Sequence, residues 1–137
     1  MKKVLVLCTG NSCRSQIAEG YLNAFLNGEA ELHSAGVENH EINENAIKIM
    51  KRDGIDISKN TSNHVSEYEH INFDFIITVC DHAHETCPNF FSNRAVRIHK
   101  NFFDPSKIED EERLIFGFEK SRNEIKKFCQ EFCATYF

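Results

Sequence analysis

The strongest constraint on the fold lies in the first 26 residues, where an apolar strand runs through a small polar loop into a helix. Residues 3–8 carry a continuous apolar run, Val4-Leu5-Val6-Leu7-Cys8. Such a run is expected of a central strand in a parallel sheet covered on both faces. After residues 9–13, Ile17, Ala18, Tyr21, Leu22, Phe25 and Leu26 recur at helical spacing, and Asn27-Gly28 stops the helix. A second strand is expected near Ala30–Ala35, and Ala46, Ile47 and Met50 mark a second helix ending around Asp53-Gly54. Phe73–Val79 and Ala95–His99 read as the third and fourth strands. From about Glu111, the residues Leu114, Phe118, Ser121, Ile125, Phe128 and Phe132 alternate by four and three, as on a long amphipathic C-terminal helix. Strands alternating with helices imply right-handed crossovers and an α/β fold, an open four-stranded parallel sheet flanked by helices. Ligands of such sheets sit beyond the carboxyl ends of the strands. Cys8 ends the first strand and Cys80 ends the third, so both are expected on that edge.

The 137 residues fit one domain spanning 1–137, and no linker or repeat divides them. No apolar run approaches the roughly 20 residues that span a bilayer. The N-terminal lysines and apolar residues run straight into the polar Cys-Thr-Gly-Asn-Ser segment, with no small-residue cleavage site, so this stretch reads as a buried strand and the protein as cytoplasmic. A formal charge of −5 argues against a nucleic-acid partner. An acidic protein that binds an anion needs a local positive field, which directs attention to helix N-termini and single arginines. Six cysteines in a cytosolic chain point to redox or metal chemistry, because stable disulfides are rare there. They fall in three pairs: Cys8 and Cys13, Cys80 and Cys87, Cys129 and Cys133. No Cys-x-x-Cys spacing occurs, which argues against a structural zinc site.

Cys8-Thr9-Gly10-Asn11-Ser12-Cys13-Arg14-Ser15 follows a strand and opens a helix. A cysteine and an arginine six positions on bracket a tight loop whose backbone N–H groups can converge with the helix N-terminus into an anion nest. Gly10 and Asn11 tolerate the left-handed backbone that a nest needs. Arg14 can grip two oxygens with its planar fork. The positive helix end should hold Cys8 as a nucleophilic thiolate at neutral pH. Residues Thr9, Gly10, Asn11, Ser12, Cys13, Arg14 and Ser15 are therefore the expected oxyanion-binding set. Cys13 is expected to pack beneath the loop without a redox role.

The stretch Cys8–Gly20 closely resembles the thioredoxin-coupled arsenate reductases, which share a fold with the low-molecular-weight protein tyrosine phosphatases. The resemblance continues through Ser34-Ala35-Gly36, Asp56-Ile57-Ser58, the Cys80–Cys87 segment and Asp104-Pro105, and so covers nearly the whole chain. It implies an oxidoreductase of arsenical resistance that turns arsenate into arsenite, with phosphate or sulfate as substrate analogues. In the implied sequence Cys8 attacks arsenate, Cys80 attacks Cys8 and releases arsenite, and Cys87 attacks Cys80 to leave a redox-active disulfide that thioredoxin reduces.

The second cysteine segment distinguishes reductase from phosphatase. A phosphatase needs one nucleophilic cysteine, whereas reducing As(V) to As(III) takes two electrons, which two thiols supply by becoming a disulfide. Cysteines at the ends of neighbouring strands about 4.8 Å apart can be bridged after modest loop movement, given the about 7 Å limit on their Cα separation. On residues alone, Cys80 and Cys87 could also be buried small hydrophobes, or metal ligands with His82 and His84. Asp104-Pro105 resembles the segment that supplies the general acid in both families, so Asp104 is expected to protonate the departing oxygen; its other reading is a cap on the turn before proline. Ser106 stands where the phosphatases carry Tyr after Asp-Pro. Some relatives bind potassium beside the loop. Asn11, Glu19 and Ser34 match those positions but Asn63 replaces an Asp, so no metal or other cofactor is expected. Cys129 and Cys133, one helical turn apart, are expected to pack. A monomer is expected. The rival activity is a phosphatase acting on phosphotyrosine or small phosphate esters, and a third reading is a non-catalytic oxyanion or redox sensor.

Overall fold

The computed structural model describes residues 1–38, 40–86 and 94–137. Cys87, the third member of the expected relay, lies outside the described residues. Strand β1 (Lys2–Cys8) leads through the Cys8–Arg14 loop into helix α1 (Arg14–Leu26). Strand β2 (Ala30–Gly36) and helix α2 (Glu44–Arg52) follow, then β3 (Phe75–Thr78), α3 (Asp81–Thr86), β4 (Val96–His99) and the long α4 (Glu111–Tyr136). Two single 3₁₀ turns occupy Val65–Tyr68 and Pro105–Lys107. The four strands are parallel in the order β2-β1-β3-β4. β1 is central, and Val4 through Leu7 are fully buried, as their unbroken apolar run requires. The register places Cys8 opposite Gly36 and Leu7 opposite Thr78. The carboxyl ends of β1, β2 and β3 thus finish at one edge of the sheet.

Helix α1 ends as its sequence demands, with Asn27 left-handed at φ 43° and Gly28 at φ 89°. Asn43 caps α2 through its side-chain oxygen, which accepts from the N–H groups of Asn45 and Ala46. Helix α4 lays Phe118, Ser121, Ile125, Cys129 and Phe132 on the core. Cys129 is fully buried and its thiol points at the Ala18 carbonyl of α1, 3.7 Å away, a packing position. Tyr21 donates to Asp53 at 2.7 Å, and Lys126 pairs with the same carboxylate at 2.9 Å, tying α1, the end of α2 and α4 together.

The strands differ from the sequence reading by a residue or two at their ends, most of all β3. β3 is shorter than Phe73–Val79 because Asp74 turns aside to bond Lys3 through both its N–H and its carboxylate. Cys80 therefore does not end a strand. It sits two residues past β3, and the polar stretch after it folds as α3 with Ala83 buried against the sheet. Six residues carry too little periodicity to announce that helix.

Candidate active site

The loop from Cys8 to Arg14 is held open by the chain that leaves β2. Val37, Glu38, His40 and Asn43 donate their N–H groups to the carbonyls of Cys8, Thr9, Gly10 and Ser12 at 2.8–3.3 Å. Gln16 Nε2 donates to the Asn11 carbonyl at 3.1 Å. In a trans peptide the N–H points opposite to the C=O, and no described peptide is cis. Carbonyls drawn outward therefore turn the loop's N–H groups inward. Asn11 adopts φ 52°, the left-handed step a nest requires. The N-terminus of α1 closes the ring, with no acidic residue in its first turn to offset the positive end. This is the local field that the acidic composition called for.

Gly36 makes that wrapping possible. A Cβ there would lie 2.8 Å from the Asn11 nitrogen and 2.8 Å from the Gly10 carbonyl carbon, besides striking the Glu38 oxygen. The end of β2 presses on the loop backbone, and only a hydrogen fits between them.

A cavity of about 330 Å³ opens above the loop, lined by Cys8, Thr9, Gly10, Ser12, Cys13, Arg14, His40, Asp104 and Ser106. Arg14 donates from Nη1 to the Phe102 carbonyl at 2.8 Å, and its Nη2 lies 3.7 Å from Asp104 Oδ2. Asp104 does two things at once. Oδ1 accepts from the Ser106 N–H at 3.0 Å and hydroxyl at 2.7 Å, capping the turn, while Oδ2 faces Arg14. The turn-capping reading of Asp104 is realised on Oδ1, and Oδ2 stands at the cavity beside Arg14.

Asn11 and Ser15 do not reach the cavity with their side chains; both are fully buried behind the loop. The Ser15 hydroxyl lies 2.9 Å from Cys8 Sγ and 2.8 Å from Asn11 Oδ1. It has one proton to give. While Cys8 is a thiol, the hydroxyl donates to Asn11 and accepts from sulfur. Once Cys8 is a thiolate, the hydroxyl can turn its proton to the sulfur, and Asn11 Oδ1 still accepts from Gln16 Nε2 at 3.2 Å. The network thus serves either state without leaving a buried oxygen unpaired. Gln16 was not singled out from sequence, although it follows the loop directly.

Cys13 is buried, and burial pushes its thiol far above the ordinary range, with the charges of Asp104 and Cys8 adding to the effect. It stays protonated and packs. Cys80 is placed differently. It is 2% exposed, yet its sulfur lies 3.2 Å from Thr9 Oγ1, at the rim of the oxyanion loop, and accepts from the Ala83 N–H at 3.4 Å. Thr9 thus links the oxyanion loop directly to the Cys80 thiol.

The positions matching a potassium site are close together but poorly suited to the ion. Ser34 donates to Glu19 at 2.5 Å, and the Asn11 amide is turned to the Ser34 and Asn63 carbonyls. Asn63 points its own side chain away, toward Thr61 and Glu67. Glu19 is the only carboxylate among the four, so the set offers a hard cation a single negative charge at most.

A thiol in an anion nest, an arginine that frames it and a carboxylic acid across the cavity define the phosphatase-like class of cysteine enzymes. Residues 3–136 match the family described as low molecular weight phosphotyrosine protein phosphatase, and the chain belongs to that family. Within it, the chain is 44% identical over 136 residues to the arsenate reductase of Halalkalibacterium halodurans, covering 98% of this chain and 96% of that protein. A solved structure described as an arsenate reductase in the phosphate binding state matches with a TM-score of 0.86 and 28% identity over 100% of both chains. The tyrosine phosphatase Wzb of Escherichia coli K30, in complex with sulphate, matches with a TM-score of 0.83 at 22% identity, over 99% of both chains, and shares the fold.

Proposed function

We propose that this chain reduces arsenate to arsenite as one working domain, with Cys8 as nucleophile, Cys80 and Cys87 as relay thiols and thioredoxin as electron donor. The observation that carries the reading is the Cys80 thiol beside Thr9, a second sulfur at the rim of the loop that holds the first. A hydrolytic phosphatase has no use for it.

The chemistry follows from these positions. Arsenate sits on the loop N–H groups with Arg14 across two of its oxygens. The Cys8 thiolate displaces one oxygen, which leaves as water after taking a proton from Asp104, and a Cys8–arsenic bond forms. The Cys80 thiolate then attacks Cys8 sulfur. The sulfur–arsenic bond breaks with its electron pair going to arsenic, so arsenite departs and a Cys8–Cys80 disulfide remains. Cys87 attacks Cys80 and frees the Cys8 thiolate. The dithiol of thioredoxin reduces the Cys80–Cys87 disulfide. We place this chain in the cytoplasm as a monomer that meets its donor in solution; no helix among the described residues is long and apolar enough to cross a membrane.

The direct test is NADPH consumption when arsenate is added to the purified protein with thioredoxin and thioredoxin reductase. Sustained consumption that needs Cys8, Cys80 and Cys87 is expected. Arsenate-independent hydrolysis of an aryl phosphate with no NADPH consumed would move the activity to the phosphatases. Slow hydrolysis of p-nitrophenyl phosphate beside active reduction is expected too, because the nest receives phosphate and arsenate alike.

A further inference from the structure

Cys80 is nearly buried, and its position depends on what holds the residues on either side of it. Those ties come from the segment leaving β4. Thr78 Oγ1 lies 2.8 Å from His99 Nδ1, and His99 Nε2 lies 2.8 Å from Asp81 Oδ1. The Asp81 N–H donates to Asn101 Oδ1 at 3.1 Å. Two backbone bonds run in parallel, from Lys100 N–H to the Thr78 carbonyl at 3.0 Å and from Phe102 N–H to the Val79 carbonyl at 3.1 Å. Residues 99–102 thus grip both neighbours of Cys80. The same segment gives its Phe102 carbonyl to Arg14 and leads directly to Asp104.

The grip is unequal. The backbone bonds fix Val79, but Asp81, the first residue of α3, is held through side chains. The Asp81 carboxylate is 67% exposed, so it packs against little, and what it does is accept from His99. His99 reaches back to a Thr78 hydroxyl in a 4% exposed position. A buried hydroxyl, a half-buried imidazole and a surface carboxylate make a chain from the sheet interior to the helix that follows Cys80.

We propose that His99, together with Asp81 and Asn101, is a positioning residue for Cys80. The Thr78–His99–Asp81 chain holds the start of α3 so that the Cys80 thiol stays against Thr9, within the reach of the oxyanion loop. When the chain is broken, α3 swings away and the thiol becomes exposed and less well placed to meet Cys8. The effect on turnover rests on the relay reading above; the effect on exposure does not.

The test is the rate at which Cys80 is alkylated by iodoacetamide in the reduced full-length protein, followed by mass spectrometry in wild type, Asp81→Ala and Asp81→Asn. Cys129, fully buried in α4, reports global opening in the same sample. Asp81→Ala should raise the Cys80 rate about threefold, the scale of one partly exposed hydrogen bond, with Cys129 unchanged. Asp81→Asn keeps an acceptor for His99 and should return most of the wild-type protection. First-turnover arsenite release should fall in Asp81→Ala through kcat, with KM for arsenate unchanged. Unchanged Cys80 labelling in Asp81→Ala, or Cys80 and Cys129 rising together, would overturn the proposal. If the wild type releases no arsenite, the relay reading falls, and the labelling result still decides the role of His99.

Discussion

Replacing Ser15 with alanine separates the reactivity of Cys8 from the fit of its loop. The Ser15 hydroxyl lies 2.9 Å from Cys8 Sγ in a fully buried position and does not line the cavity. A hydrogen bond to a charged group contributes about 1.5–3 kcal/mol. Losing it should lower the reactivity of Cys8 as a nucleophile about 10- to 100-fold. The cost to folding is smaller. Asn11 Oδ1 keeps its bond from Gln16, so no buried acceptor is orphaned and the loss should be about 1 kcal/mol. The assay is site-resolved alkylation of Cys8 at neutral pH, paired with urea unfolding and calorimetric phosphate binding. Alkylation should slow at least about tenfold, while phosphate affinity stays within about twofold, as for a change outside the contact surface. A well-folded variant with undiminished Cys8 alkylation would refute the argument that this hydroxyl stabilises the thiolate. Equal losses in alkylation and phosphate binding would refute it differently, by showing that Ser15 merely props up the loop.

Three further outcomes are expected. Gly36→Ala forces a methyl group against the backbone of Gly10 and Asn11, so it should cost about 1–3 kcal/mol of overpacking and weaken phosphate binding in the same calorimetric assay. Asp104→Asn keeps the acceptor that caps the Ser106 turn but has no proton to give, so arsenate-dependent turnover should fall about 10²- to 10⁴-fold with the melting temperature nearly unchanged. Turnover left intact in this variant would confine Asp104 to the cap. The third concerns Asp53, whose pKa is lowered by the Tyr21 hydrogen bond first and by Lys126 next. A lowered carboxylate adds stability above its unfolded pKa and loses it as pH falls through the folded value. The stability gap between wild type and Asp53→Asn should therefore be present at about pH 7 and close below the ordinary carboxylate range, as measured by denaturation midpoints at each pH.

The sequence made some features plain for physical reasons that also explain what it hid. β1, the oxyanion loop and α1 were legible because each announces itself locally: an unbroken apolar run, small loop residues and a 3.6-residue stripe. α4 was legible for the same reason, being long enough for its period to repeat. α3 was not, since six mostly polar residues are too few to leave a stripe to read. The support around the loop was hidden for another reason. Gly36 touches Gly10 and Asn11 only because β2 pairs with β1 in one register, and Gln16 is needed only because Asn11 turns its carbonyl outward. His99 and Asp81 stand 18 positions apart and meet because β3 and β4 are parallel neighbours. Residue types can say which side chains bear the chemistry; contacts made by strand register decide what holds them.

That division bears on how one fold serves both hydrolysis and reduction. The nest is built from backbone N–H groups, a helix end and one arginine, and these respond to the charge and shape of a tetrahedral oxyanion rather than to its central atom. Arsenate and phosphate should therefore bind alike, and the difference must arise after the first covalent bond forms. Phosphorus offers no accessible lower oxidation state, so its adduct waits for water. Arsenic can accept an electron pair, provided that a second thiol arrives before water does. Selection between the two reactions then depends less on the pocket than on where Cys80 is held. Thr9 on one side and the His99–Asp81 chain on the other keep that sulfur at the rim of a loop which would otherwise serve a phosphatase equally well.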